Sequence, residues 1–290
     1  MMWLGTVRLD TCKPSAMPTK TSPPEADPSV NTVGEDTRTV RTGDLWQLGD
    51  HKIVCGDSSD ATVIAALMEA ETATMMFADP PYGVHYVGKR VARRAIANDD
   101  ATAEELQHLL QNAFTAAPLR PGAAFYVCCP SNDNEMAFRQ ALSSSGLSVR
   151  QQIVWVKNHF VLSRQDYHWK HEVMQYGWKN GASHYFVDDR TQHTVWHANK
   201  PQRSALHPTM KPIELVIRAI SNSSLPGEIV FDGFGGSGTT LVACERLGRR
   251  CRMVEIDPHY VASIISRWET DTGKSATLVR QIGNSLESDR

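Results

Sequence analysis

Residues 79–82 read Asp79-Pro80-Pro81-Tyr82, and residues 231–240 read Phe231-Asp232-Gly233-Phe234-Gly235-Gly236-Ser237-Gly238-Thr239-Thr240. The first follows an apolar run, Ala73–Ala78, and the second begins at the end of a strand read over Glu228–Phe231. Proline donates no ladder hydrogen bond, so the first strand must stop at Asp79. Each proline fixes its own φ and restricts the residue before it, so the turn is stiff. The second stretch is glycine-rich and opens a helical pattern over Ser237–Leu247. In an open α/β sheet, ligands sit beyond the carboxyl ends of the strands. Both stretches therefore belong on one edge of one sheet, provided the rest of the chain alternates strand and helix.

It does alternate. His51–Cys55 reads as a strand, Ala61–Met68 as a helix and Ala73–Ala78 as a buried strand. Thr102 and Glu105 have capping-box spacing and open a helix to about Ala116. Ala123–Cys129 is a strand, Asn132–Ser143 a helix and Val149–Val156 a strand. Pro212 marks the first turn of a helix to about Ser221. Glu228–Phe231, Ser237–Leu247, Arg250–Glu255 and Pro258–Glu269 continue the alternation. This pattern predicts an α/β fold with a mostly parallel, doubly wound sheet covered on both faces. Residues 1–43 are rich in Pro, Thr and Ser and read as a flexible tail. A single domain is expected over 44–283, with a short tail over 284–290. Between 160 and 205 the rhythm lapses, and His171–Trp178 and His184–Phe186 read as short hairpin strands in an inserted region.

The composition suits a globular chain of 290 residues, with 41% hydrophobic and 21% charged residues. No apolar run is long enough to span a bilayer. The cysteines form no close C-x-x-C pair, which argues against zinc and against a thioredoxin-like site. The histidines are backed by no cysteine pair or H-E-x-x-H helix, so no metal is expected. A reducing, cytoplasmic setting is expected. The net charge is −2, yet the distribution is uneven. Lys89, Arg90, Arg93 and Arg94 cluster without an intervening acid. From Arg150 to Lys211 nine Lys/Arg face four Asp/Glu, among seven histidines and four tryptophans. A basic, aromatic segment of this kind points to an anionic partner. Lys157, Arg164, Lys170, Lys179, Arg190 and Arg203 are its candidate phosphate or base contacts.

The turn at 79–82 offers a carboxylate, prolyl carbonyls and an aromatic face. That set suits the exocyclic amine of a flat base. The amine lone pair is delocalised into the ring, and hydrogen bonds to Asp79 and to the Pro80 carbonyl favour a more tetrahedral nitrogen. Tyr82 is a candidate to stack on the base and hold it in line with a reaction partner. The glycine loop lacks the G-K-[S/T] ending of a P-loop. Glu255 ends the next strand, where an acid can hold the ribose hydroxyls of a nucleoside. Lys211, near a helix start, is a candidate to receive a carboxylate.

Together these segments resemble the β class of S-adenosylmethionine-dependent DNA amino-methyltransferases, in which a catalytic motif precedes the cofactor motif. The family loop Asp-Pro-Phe-x-Gly-Ser-Gly-Thr-Thr is matched at Asp232, Phe234, Gly236, Ser237, Gly238, Thr239 and Thr240. It is broken at Gly233, where the family usually has proline. His207-Pro208-Thr209-Met210-Lys211-Pro212 resembles the family's His-Pro-Thr-x-Lys-Pro element. The resemblance implies that His207, Thr209 and Lys211 line the methionine end of the cofactor and that Asp57, in Gly56-Asp57-Ser58, faces its adenine. Asp57 or Ser58 as a plain helix cap is the alternative. Gln152–Asn158 resembles a strand flanking the target base. Gly43–His51 is similar to methyltransferases of phages and mobile elements, some of them fused to a ParB-like domain.

The implied reaction is methylation of the N6 amine of adenine in double-stranded DNA, after base flipping. The same chemistry on the N4 amine of cytosine is the runner-up, since those enzymes more often carry Ser where Asp79 stands. C5-cytosine methylation needs Pro-Cys, and this chain has Cys128-Cys129-Pro130 instead. Glutamine methylation, an inactive DNA-binding derivative and an NAD-dependent dehydrogenase are weaker readings. A homodimer and a restriction partner are both left open.

Overall fold

The computed structural model describes residues 38–83, 101–162, 166–199 and 210–283. Ten strands form one sheet, in the order β10-β1-β2-β9-β8-β3-β4-β6-β5-β7. The strands are β1 (Asp44–Leu48), β2 (His51–Cys55), β3 (Ala73–Ala78), β4 (Leu119–Cys129), β5 (Leu147–Val161), β6 (Trp169–Lys179), β7 (Val195–His197), β8 (Ile229–Asp232), β9 (Arg250–Glu255) and β10 (Thr277–Gln281). The helices are α1 (Ala61–Met68), α2 (Ala103–Ala116), α3 (Glu135–Ser144), α4 (Ile213–Ser223), α5 (Thr239–Leu247) and α6 (Pro258–Thr272).

The centre, β2-β9-β8-β3-β4, is parallel throughout. β3, the first three residues of β8 and the second half of β4 are nearly continuous apolar runs, because helices cover both faces. One core layer packs Met75, Phe77, Val230 and Met253 against α4, α5 and α6 residues such as Val216, Leu241 and Ile265. The other packs Met76, Phe231 and Val254 against Leu67, Leu110 and Phe138 of α1, α2 and α3. Alternate residues of one strand thus serve opposite layers, as the pleat requires.

Local signals behave as their chemistry dictates. Thr102 and Glu105 close the capping box at α2. Asp60, and neither Asp57 nor Ser58, caps α1 by accepting from the Thr62 N–H. Pro212 stands just ahead of α4 rather than inside its first turn. Gly177 lets β5 and β6 approach closely, since a Cβ there would sit 2.0 Å from the Ser148 carbonyl oxygen.

Three expectations need correction. The hairpin expected between His171–Trp178 and His184–Phe186 does not form: the first segment is β6, a full strand of the main sheet wedged between β4 and β5. No strand forms at His184–Phe186. At the N-terminal boundary, Arg38 pairs with Glu269 at 2.9 Å and Val40 is buried, so residues assigned to the tail already pack on the domain. β10, an exposed edge strand, went unanticipated. Among the described residues no helix is long and apolar enough to cross a membrane.

Candidate active site

Register brings the sequence motifs to one edge. β3 pairs in parallel with β8 through Met76 and Phe231, so the turn after Ala78 lies beside the loop after Asp232. β8 pairs with β9, and β9 with β2, where Cys55 faces Glu255. Gly56-Asp57 therefore adjoins Glu255, whose carbonyl accepts from the Gly56 N–H at 2.9 Å. Every one of these segments leaves the carboxyl end of its strand, where α/β folds bind ligands.

At the first turn, Pro80 is buried and Asp79, Pro81 and Tyr82 are half-buried. The Tyr82 hydroxyl donates to Asp79 Oδ1 at 3.0 Å. Its ring meets Phe138 edge-on, with centroids 6.0 Å apart. Enclosure of the hydroxyl, with Asp79 beside it, holds the Tyr82 pKa well above the usual phenol value. Asn134, at the start of α3, donates from its amide to the Tyr82 carbonyl at 2.9 Å and the Gly83 carbonyl at 3.2 Å. It caps no helix N–H with its side chain. Asn134 was missed in the sequence, because a tie across 52 residues leaves no local signal.

Lys211 is the largest surprise. Its buried Nζ reaches Asp79 Oδ1 at 2.8 Å, the Tyr82 hydroxyl at 3.1 Å and Glu172 Oε2 at 3.2 Å. Burial would lower its pKa, but Asp79 and Glu172 outweigh that and hold it well above the usual lysine value. The ammonium that was expected to take a cofactor carboxylate is thus engaged at the Asp79 turn. Glu172 also pairs with Lys157 at 2.8 Å. Sequence reading overlooked Glu172, one acid in a basic segment. It assigned Lys157 to DNA, whereas Lys157 is only 5% exposed and cannot reach a phosphate.

The glycine loop is held by two buried acids. Asp232 Oδ1 accepts from the Phe234 N–H at 2.9 Å, closing the turn without the proline that Gly233 replaces. A Cβ at Gly233 would lie 3.2 Å from the Ser58 Cβ, so the loops after β2 and β8 touch. Glu255 Oε2 accepts from Gly236 N–H at 2.6 Å, and Oε1 from Asp257 N–H at 2.9 Å. Burial pushes Asp232 up to about 7, against hydrogen bonds from Thr240 and Phe234 that pull the other way. Burial likewise pushes Glu255 up to about 7. Gly236 and Gly238 adopt positive φ, +52° and +73°. The Ser237 hydroxyl lies 3.0 Å from that of Thr239, and the start of α5 has no side-chain cap. Asp57 accepts from the Ser59 N–H at 2.8 Å and is exposed at the rim.

This donor set fits a nucleoside joined to an amino acid. Two buried carboxylates keep lone pairs for hydroxyl or ammonium groups, and the uncapped start of α5 offers N–H groups to a carboxylate. Cys128 and Cys129 fit no nucleophilic role, since burial pushes Cys128 well up and Cys129 to about 12.

The remaining basic candidates divide. Lys170 is exposed at the start of β6, on the Asp79 edge. Lys179, at the other end of β6, donates to the Leu119 carbonyl at 2.8 Å. Arg190 lies in the connection from β6 to β7, and Val187 of that connection bonds Asn222 near the end of α4. Both are therefore on the opposite edge from Asp79, where they cannot grip a duplex docked at the turn. Lys89, Arg90, Arg93, Arg94, Arg164, Arg203, His207 and Thr209 lie outside the described residues. Among the described residues no cluster suits a metal.

Comparison with known proteins agrees with this geometry. The family model described as DNA methylase of the N6/N4 type matches residues 73–266. The type II methyltransferase M2.DpnII of Streptococcus pneumoniae is 26% identical over 238 residues, covering 73% of this chain and 88% of the relative. M2.LlaDCHI of Lactococcus lactis subsp. cremoris is 25% identical, covering 70% and 84%. The fold resembles the M1.HpyAVI–SAM complex at a TM-score of 0.58 and 22% identity, covering 74% of this chain and 97% of that one. It also resembles the cytosine-N4-specific PvuII DNA methyltransferase at 0.60 and 16%, covering 75% and 86%. The family match spans the acidic turn, the strands bearing Lys157 and Glu172, and the glycine loop alike, and the chain belongs to the N6/N4 DNA methylases, which take their methyl group from S-adenosylmethionine.

Proposed function

We propose that the protein methylates the N6 amine of adenine in double-stranded DNA. The observation that carries this reading is the Asp79 carboxylate, held at the strand edge beside the glycine loop with Oδ1 already bonded to Lys211 and Tyr82. A second oxygen then faces the target amine, and the Pro80 carbonyl is the other acceptor. Accepting two N–H groups localises the nitrogen lone pair and aims it, and Tyr82 lends its ring as a stacking surface. Positioning supplies most of such a rate gain.

The cofactor, when bound, supplies a methyl group on a sulfonium. Around it, Glu255 and Asp57 are assigned to the nucleoside, Asp232 to the amino-acid end, and Phe234, Gly236, Ser237, Gly238, Thr239 and Thr240 to the loop that wraps it. His207 and Thr209 keep the roles implied by the family element. Lys211 does not take the cofactor carboxylate in this reading, because its three partners already surround it.

The amine of a paired base lies inside the stack, out of reach of a strand-edge site, so the base is flipped at a cost of a few kcal/mol. Lys170, with the cluster Lys89, Arg90, Arg93 and Arg94, is assigned to the duplex. N4-cytosine transfer is the second reading, and it draws on the likeness to a cytosine-N4-specific enzyme. Replacing every adenine of an oligonucleotide duplex set by N6,N6-dimethyladenine should abolish labelling. Persistent labelling of the cytosines would favour the second reading.

A further inference from the structure

We propose that Glu172 is the positioning residue of the transfer site: it fixes the Lys211 ammonium against Asp79 and Tyr82, so that one oxygen of Asp79 is occupied and the other is presented to the target amine. This rests on reading Asp79 as the acceptor of that amine.

Four charged groups converge from four separate parts of the chain. Asp79 comes from the turn after β3, Lys157 from β5, Glu172 from β6 and Lys211 from the segment before α4. Glu172 is the shared member: Oε1 forms an ion pair with Lys157 at 2.8 Å, and Oε2 lies 3.2 Å from the Lys211 ammonium, a contact of charge rather than of an aligned hydrogen bond. Both lysines are nearly inaccessible, at 5% and 7% side-chain exposure. A buried ammonium is stable only when its partners are close and well aimed. Two carboxylates and two ammoniums make the group neutral, and neutrality depends on Glu172 as much as on Asp79.

The geometry then has a chemical consequence. Lys211 bonds Asp79 on Oδ1, the same oxygen that accepts the Tyr82 hydroxyl. Among the described residues Oδ2 has no partner. The carboxylate cannot rotate without breaking two bonds, so its second oxygen has one direction. Glu172 touches neither base nor cofactor and acts through Lys211.

Without the Glu172 charge, two enclosed ammoniums share one carboxylate. The groups facing Lys211 are then Asp79, Tyr82, Cys128 and a neutral amide, with Asp232 further off beside Asp79. Lys211 holds its proton less tightly and shifts toward Asp79 alone. Removing the Lys157 charge as well restores neutrality.

The test uses the full chain, radiolabelled S-adenosylmethionine and duplex DNA, with single-turnover rates and separate binding measurements from about pH 6.5 to about 9.5, a span that brackets neutrality and approaches the ordinary lysine value. Glu172→Gln should slow transfer by about 30-fold while leaving cofactor and DNA affinity within about threefold. Its rate should fall further as pH rises, over a range where the wild-type rate is level. Lys157→Met with Glu172→Gln should regain at least about tenfold of the loss and lose the alkaline fall. Glu172→Asp, which keeps the charge, should retain the wild-type pH profile and serves if Glu172→Gln does not fold. A Glu172→Gln rate within about threefold of wild type overturns the inference. So does a loss that is level with pH and untouched by Lys157→Met, which would mark plain packing. Asp79→Ala runs beside them: if it stays active, the reading of the site itself fails and this inference falls with it.

Discussion

Asp232 and Glu255 are carboxyls kept under the glycine loop, and burial sets both at about 7. Both therefore titrate near neutrality. The folded protein binds their protons up to about pH 7, while the unfolded chain has released them above the ordinary values of 3.8 and 4.5. Stability thus falls as pH rises through this range, and the cost of burial is complete above the folded value. His51 opposes the trend only below its ordinary value of 6.5, because burial lowers its pKa and the unfolded chain protonates first. Melting temperature should accordingly rise as pH is lowered from about 8 to about 6.5, and a fall over that span would mean the two acids are already ionised. Cofactor ammonium and hydroxyl groups favour the carboxylate forms, so binding near neutrality should release protons. Calorimetry in buffers of different ionisation enthalpy measures that release directly. Asp79→Ala belongs to this scale too. It should cut turnover by more than about a hundredfold, roughly 2.7 kcal/mol, with cofactor affinity kept, since the lost bond is made to the reacting amine. A variant within about tenfold of wild type would remove Asp79 from the reaction.

Among the elements, α3 does more than cover the sheet. Asn134 at its start ties the Tyr82 and Gly83 carbonyls, so the helix braces the far side of the proline turn. Asn134→Ala should lower turnover by about tenfold, through a looser Tyr82, and leave cofactor affinity unchanged. A change confined to cofactor affinity would show that the brace serves the glycine loop instead. Most elements were legible in the sequence because their signals are local: apolar runs for β3 and β8, a capping box for α2, glycines at the ends of α5. The misses were non-local. β6 carries Gln175, His171 and Glu172 among its apolar residues and so reads as insert, yet the pairing partners that make it a core strand lie on β4 and β5. Lys157 reads as a DNA-binding residue because a sequence shows charge and not burial. Glu172 and Lys211 meet at 3.2 Å across a long stretch of chain, and nothing in either neighbourhood announces the other. β10 is five exposed residues whose only reason to be a strand is β1 beside it.

For the whole molecule, one edge of the sheet gathers the acidic turn, the glycine loop and Glu255, while Lys179 and Arg190 occupy the other. A net charge of −2 gives no general attraction to DNA, so that attraction is assigned to local basic residues. Replacing Arg90, Arg93 and Arg94 with alanine should weaken binding to all duplexes and flatten its salt dependence, by about 0.9 in log–log slope for each phosphate no longer gripped. Lys179→Ala should leave that slope unchanged; a reduced slope for Lys179→Ala and none for the triple variant would put the duplex on the opposite edge. As proposed, this edge transfers a methyl group from S-adenosylmethionine to the N6 amine of adenine through Asp79. Mass spectrometry of nucleosides from unmethylated duplex DNA, treated with the wild-type protein and with Asp79→Ala, reads the product itself. N6-methyladenine formed by the wild type and lost in the variant is the predicted result, and N4-methylcytosine as the sole product would contradict it.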